Sequence, residues 1–450
     1  MTTPTTLVER DQAHWLHPLH HPSAHQTPLI FESGHGIWLR TVDGKEYIDG
    51  LAGLWNVLVG HGNTELADAA QQQMSTLAYA SSYVGASNLP ALELADRLAG
   101  WAYPSLNTTF FTSGGAESNE SAFKTVRYYW RRLGKPDKVK VISRQHGYHG
   151  ITLAAMSATG MSAYWPMFEP RVPNFLHIPA PYPFRFPAGQ LRDGETVGLA
   201  AARLLEEAIL REGPETVGAF IAEPVQGAGG VIVPPDDYFP RIREICDQYD
   251  VLFIADEVIT GFGRTGEWFA LNRWGVQPDI MSFAKGVTSG YLPLGGIQIS
   301  DAIREVIMSA PSGERWMHAY TYSGHPTCCA VANKNLDLLL RLDVAANAKT
   351  QGRRLLAGLQ GLQAEFEIIG DARGLGLMAA IEFADPQTKQ PAQIGEKVRQ
   401  ACMQRGLYTR LIGSDILAFA PPLIMTSEEI DLMLQIVGEA VAAVARDTSR

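Results

Sequence analysis

Three charged residues in this chain stand where apolar runs end. VGAFIA (217–222) is followed by Glu223, VLFIA (251–255) by Asp256 and DIMSFA (279–284) by Lys285. A fourth run, KVKVIS (138–143), leads within a few residues to Tyr148-His149-Gly150. Short β-branched or apolar runs bounded by turn residues predict strands, and ligands of open α/β sheets gather beyond the carboxyl ends of the strands. Three charges and an aromatic ring delivered to one sheet edge point to a site; the competing reading is a buried structural Asp256–Lys285 ion pair.

Lys285 lies in FAKGVTSGYLPLGG (283–296), where it is the single charge. Burial disfavours the ammonium form of a lysine, and the neutral amine can form a Schiff base with an aldehyde. The glycines that follow let a bulky ligand approach the backbone. Asp256 needs a cationic partner at the end of so apolar a strand. A protonated pyridine nitrogen is such a partner, and holding it protonated makes the ring an electron sink, the pattern of an enzyme using pyridoxal phosphate (PLP). The phosphate would need a cup. FFT (110–112) followed by Ser113-Gly114-Gly115-Ala116 and a helical pattern offers one, because N–H groups at a helix start bind anions. Ala122, Val126, Tyr129, Trp130 and Leu133 recur at helical spacing on one face. An ordinary capped helix, with Glu117 and Glu120 serving its dipole, would read the same way.

The elements that must position these residues are an alternation of strand and helix patterns from about residue 60, which implies βα units and a mainly parallel sheet. Before it, residues 27–53 alternate apolar and polar around Gly34, Gly36 and Asp43-Gly44, a β-meander. After residue 330 come two helical patterns, strands around glycine turns and a final amphipathic helix. The expected fold is α/β, with a large domain over residues 60–329 and a smaller α+β domain made from 1–59 and 330–450. The Pro-rich PAPYPFRFPAG (179–189) reads as a surface excursion.

Composition agrees. The 450 residues are 46% hydrophobic and 19% charged, with a net charge of -10 that argues against a nucleic-acid surface. Cys246, Cys328, Cys329 and Cys402 form no CxxC pair and read as reduced, buried thiols. There is no signal-peptide pattern and no run of about 18 apolar residues, so no membrane span is expected and a cytoplasmic location follows. Gly261-Phe-Gly-Arg-Thr-Gly266 fits GxGxxG but is no clean helix start. The aspartate of LFIADE lacks any phosphate-binding GxxxxGK[ST] partner. His14, His17, His20, His21 and His25 cluster without Cys or a paired acid and are expected to hold no metal. Ser323-Gly-His-Pro326 is no hydrolase elbow, since G-x-S-x-G is absent.

IADEVITGFGRTGEWFA (254–270), PDIMSFAKGVTSGYLPLGG (278–296) and TYSGHP (321–326), in that order, resemble a fold-type I, class III PLP-dependent aminotransferase of the ω-aminotransferase branch. The likeness runs from LWNVLVGHG (54–62) to APPLIMT (420–426). It implies that Lys285 bonds to PLP and shuttles the proton, that Asp256 pairs with the pyridine nitrogen, and that Tyr148 and Val258 pack on opposite ring faces. It further implies that Ser113, Gly114, Gly115 and Ala116 cradle the phosphate, that His149 and Glu223 orient the cofactor region, and that Thr321 adds its hydroxyl from the partner subunit of a homodimer, with a tetramer left open. Many members carry Ser or Thr where this chain has Ala116. The resemblance also fixes ping-pong amino transfer from an amine donor to a keto acid through pyridoxamine phosphate. Trp55, Tyr83 and Leu19 would wall the substrate pocket, and Arg410 matches the mobile arginine that pairs with a substrate carboxylate. That set favours an amine:pyruvate aminotransferase, for which the resemblance implies (S)-selectivity. A β-alanine- or 4-aminobutyrate:pyruvate aminotransferase is the near rival, and an aminomutase the more distant one.

Overall fold

A computed structural model describes residues 4–448. Strands β1 (Phe31–His35), β2 (Trp38–Thr41) and β3 (Glu46–Asp49) form an antiparallel meander, with Gly44 in the left-handed conformation its turn needs. The central sheet contains β4 (Leu106–Thr112), β5 (Lys140–Arg144), β6 (Phe175–Ile178), β7 (Val217–Ala222), β8 (Leu252–Asp256), β9 (Ile280–Phe283) and β10 (Gly295–Ser300). Its order is β4-β10-β9-β8-β7-β5-β6. The five strands from β9 to β6 are parallel, and β10 runs against both its neighbours.

Why β7, β8 and β9 are continuous apolar runs is visible in their burial: every residue of each is buried. Alternation sends side chains to two cores. Phe220, Ala222, Phe253, Ala255, Met281 and Phe283 enter one, and Ala219, Ile221, Leu252, Ile254 and Ile280 the other. The helix Gly115–Arg132 covers the second core with Ala122, Val126 and Trp130. Leu133, expected on the same face, lies past the helix end and is 45% exposed.

A second sheet contains β11 (Ile369–Gly374), β12 (Ala379–Phe383), β14 (Arg410–Ile412) and β15 (Ile416–Phe419), in the order β11-β12-β15-β14. Between them, β13 (Leu407–Tyr408) pairs in parallel with β3, joining the two chain ends in one sheet. All four cysteines are free and buried. No α-helix follows Gly261–Gly266; a 3-10 helix begins only at Ala270. Among the described residues, no helix is long and apolar enough to cross a membrane.

The Pro-rich stretch departs from expectation. Ala180, Tyr182 and Phe186 are buried, because the segment docks on β12 rather than looping into solvent. Glu382, 1% exposed, accepts hydrogen bonds from the Tyr182 hydroxyl, Arg185 and Arg373. Arg373 also donates to Asp371 at 2.6 Å and twice to the Gly230 carbonyl, at 2.9 and 2.6 Å. Removing one member of a buried ion network leaves its partner's charge unpaired. Arg373→Met is therefore expected to destabilise the fold by roughly 3–5 kcal/mol. The check is a thermal melt of the variant beside wild type, and an unchanged melting temperature contradicts it.

Candidate active site

The parallel strands bring their carboxyl ends to one edge, and there the chain encloses a cavity of about 460 Å3. Ser113, Gly114, Gly115, Ala116, Tyr148, His149, Glu223, Asp256, Val258 and Lys285 all border it. Asn119, at one turn's spacing from Ala116 on the same helix, borders it as well.

Asp256 closes β8 and is 3% exposed. Its Oδ2 accepts from Asn119 Nδ2 and lies next to His149 Nδ1, each at 2.8 Å. Its Oδ1 accepts the Val258 N–H at 3.1 Å. A carboxylate can only accept, so His149 carries its proton on Nδ1. These donors fix the carboxylate's plane and leave it capacity for one more partner. Asp256 and Lys285 make no direct ion pair, so the purely structural reading has no contact to rest on.

Lys285 opens a single 3-10 turn with φ at +45°, in the left-handed region. Such a residue persists only where its surroundings over-determine it. Here Asn335 Nδ2 holds the Gly286 and Val287 carbonyls at 2.9 and 3.0 Å, and Ser118 Oγ holds the Phe283 carbonyl at 3.2 Å. Burial pushes the Lys285 ammonium below the ordinary lysine value, against the opposing pull of Asp256 and Glu223. Glu223 accepts the N–H of Tyr148 on one oxygen and that of Gly227 on the other, both at 2.9 Å, so it fixes the backbone that carries the Tyr148 ring. Burial raises the Glu223 carboxyl above its usual range.

At the other end of the cavity, the first N–H groups of the helix Gly115–Arg132 have no carbonyl of their own within the helix. A Cβ on Gly115 would stand 2.9 Å from Val258 Cγ1, so only glycine lets the strand-to-helix turn approach β8 this closely. Ala116 packs against Gly150, where an added Cβ would lie 2.7 Å from the Ala116 Cβ. An amine, a carboxylate held by three donors and a cradle of N–H groups around one cavity fit PLP at both its charged ends.

Other expected residues lie elsewhere. Trp55 is 1% exposed and packed in the core, because left-handed residues at Ala52 and Gly53 fold its loop inward; Asn56 takes the place at the cavity. Leu19 and Tyr83 are exposed and border no part of the cavity. Thr321 is exposed too, its carbonyl accepting the Tyr79 hydroxyl at 2.7 Å. Arg410, on β14, also stands outside the lining, yet its charge acts on both Lys285 and Tyr148. Among the described residues no acid lies within ion-pair distance of Arg410. The rings of His17, His20 and His25 stack on one another, and Trp15 stacks on His17.

Asn119 escaped the sequence reading, although its spacing from Ala116 was a usable signal. A deeper support escaped it too: Glu257, fully buried, accepts the hydroxyls of Tyr103 and Thr260. Burial lifts its carboxyl to about 7.

The fold and this site define a PLP-dependent transferase of fold type I. The class-III aminotransferase profile matches residues 20–441, and the chain belongs to that family. It is 41% identical to a putrescine–pyruvate aminotransferase of Pseudomonas aeruginosa, over 90% of this chain and 88% of the relative. It is likewise 41% identical to the mitochondrial gamma-aminobutyrate transaminase 1 of Oryza sativa subsp. indica, over 92% of this chain and 81% of the relative. Among solved structures, a thermostable (S)-enantioselective omega-transaminase from Thermomicrobium roseum superposes with a TM-score of 0.94 at 47% identity, covering 99% of both chains. Class-III aminotransferases use PLP, so the cofactor fit has its explanation.

One consequence concerns Ala116. A hydroxyl at this position can add a phosphate contact that the methyl cannot, so Ala116→Ser is expected to slow loss of PLP on dilution by about threefold to tenfold. The two proteins are diluted in parallel and their cofactor absorbance is followed; equal loss contradicts the prediction.

Proposed function

We propose that this aminotransferase moves the amino group of a primary amine or ω-amino acid to pyruvate, with (S)-selectivity toward chiral amines. The observation that carries the reading is the unpaired Arg410 guanidinium beside a cavity whose named walls carry no other arginine. A single arginine without a resident acid can pair with the carboxylate of a keto acid and leave when an apolar amine enters. Similarity to a putrescine–pyruvate enzyme and to an (S)-enantioselective omega-transaminase supports it. The likeness to a gamma-aminobutyrate transaminase supports the second reading, a β-alanine- or 4-aminobutyrate:pyruvate aminotransferase.

Bound PLP supplies an aldehyde and an electron-withdrawing ring. Asp256, fixed by Asn119 and His149, would hold its pyridine nitrogen protonated. Tyr148 and Val258 would pack against its ring, and Ser113, Gly114, Gly115 and Ala116 would hold its phosphate. Lys285 Nζ, whose ammonium form burial disfavours, is the base that takes the proton from the donor's amine-bearing carbon. Asn56, Tyr83 and Leu19 belong to the substrate side, the last two and Thr321 through a partner subunit of a homodimer in the cytoplasm. Residues 60–329 form the cofactor-binding domain, and 1–59 with 330–450 the smaller one.

Steady-state rates with pyruvate and 1-phenylethylamine, set against β-alanine and 4-aminobutyrate, test the choice. Preference for 1-phenylethylamine supports the amine:pyruvate reading, and strong preference for the ω-amino acids overturns it in favour of the second.

A further inference from the structure

Asp49, the last residue of β3, is fully buried, and among the described residues no lysine or arginine lies within ion-pair distance of it. Its Oδ1 accepts the Leu51 N–H at 3.1 Å. Its Oδ2 accepts the Gly53 N–H and lies next to His61 Nε2, both at 2.7 Å. Within this short span Ala52, Gly53 and Trp55 take φ values of 48°, 67° and 68°. Two of the three are not glycine, and such backbone persists only when outside contacts over-determine it. Asp49 supplies those contacts.

The far side of the same segment bears on the turn that carries Lys285. Asn56 borders the cavity, and a Cβ on Gly290 would meet its Nδ2 at 2.7 Å. A Cβ on Gly286 would meet Leu58 Cδ1 at the same distance. Tyr291 donates its hydroxyl to the Gly60 carbonyl at 2.9 Å and accepts the Asn63 N–H at 2.7 Å. The lysine turn itself is anchored from elsewhere, by Asn335 and Ser118.

We infer that the Asp49–His61 contact is a positioning device for the substrate side of the cavity. It closes residues 49–61 into a loop, sets where Asn56 and the Trp55 backbone stand, and so sets which amines are accepted. Loosening it moves one wall of the cavity while Asp256, Lys285 and the phosphate cradle keep their own anchors. The inference rests on the transaminase reading above.

The test uses the PLP-loaded protein with His61→Leu, which removes the donor to Asp49, and His61→Gln, whose amide N–H can restore it. His61 is partly exposed, so neither change empties a core site. Asp49→Asn, which replaces one accepting oxygen, serves as a second disruption. Three readouts are taken: kcat and KM for 1-phenylethylamine and β-alanine, hydrogen exchange at the Leu51 and Gly53 amides, and PLP loss on dilution. His61→Leu and Asp49→Asn are expected to change the ratio of kcat/KM for the two donors by about tenfold, mainly through KM, since small shifts in a pocket wall discriminate on that scale. Exchange at the two amides quickens, PLP loss stays at the wild-type rate, and His61→Gln stays within about threefold of wild type. An unchanged donor ratio in His61→Leu overturns the inference. So does an equal fall for both donors accompanied by faster PLP loss, or a His61→Gln protein as impaired as His61→Leu. Failure of the transaminase reading shows separately, as a wild-type protein inert to both donors, and removes the basis of the inference with it.

Discussion

Replacing Lys285 by alanine is expected to lower amino transfer by roughly 10^4–10^6-fold, the scale seen when a group that acts as nucleophile and base is removed. The reason is positional. Lys285 brings the only lysine amine to the cavity named here, and burial pushes its ammonium below the ordinary lysine value, which favours the proton-accepting form. No second base stands ready: Glu223 spends both oxygens on the backbone N–H groups of Tyr148 and Gly227, and Asp256 Oδ2 is occupied by Asn119 and His149. Turnover by Lys285→Ala is measured with 1-phenylethylamine and pyruvate, at saturating PLP so that weaker cofactor retention does not enter. Wild-type turnover would show that the proton is carried by another group.

Asp256→Asn should have the next largest effect, a fall in kcat of about 10^3-fold. The substitution keeps shape and removes charge. A neutral amide cannot hold a pyridine nitrogen protonated, and its NH2 group would face either the Asn119 amide together with the His149 N–H, the two donors toward Oδ2, or the Val258 N–H that Oδ1 accepts. The loss therefore has an electronic part and a positioning part. Asn119→Ala separates them, since it removes one donor but leaves the carboxylate; a decline of about tenfold is expected for it. If Asp256→Asn keeps a kcat within tenfold of wild type, the carboxylate's charge is not what drives the reaction.

The residues proposed to do chemistry are legible because they end strands. Continuous apolar runs mark strands buried on both faces, and a charge that interrupts such a run must lie at its end. Hence the apolar runs alone set Glu223, Asp256 and Lys285 on one edge, and parallel pairing of β7, β8 and β9 puts them there. Asn119 was harder, since an asparagine inside a helix is commonplace until a carboxylate is known to face it. Trp55 misled for a backbone reason: left-handed residues at Ala52 and Gly53 turn its indole into the core, and nothing in a string of residue types announces φ at an alanine. The Pro-rich 179–189 stretch misled through composition. Its Tyr182 is buried against Glu382 and Arg373, some 200 positions later, a relation without local trace.

The central claim is that one cavity, with Lys285 as base and Asp256 as the partner of the ring nitrogen, transfers an amino group in two separable halves. Its most direct test mixes the PLP-loaded protein with 1-phenylethylamine and no keto acid, and quantifies acetophenone. A transaminase releases about one equivalent of ketone per chain, stops, and resumes with matching formation of alanine when pyruvate is added. Continued turnover of the amine without any keto acid, or no resumption with pyruvate or any other keto acid, would contradict it.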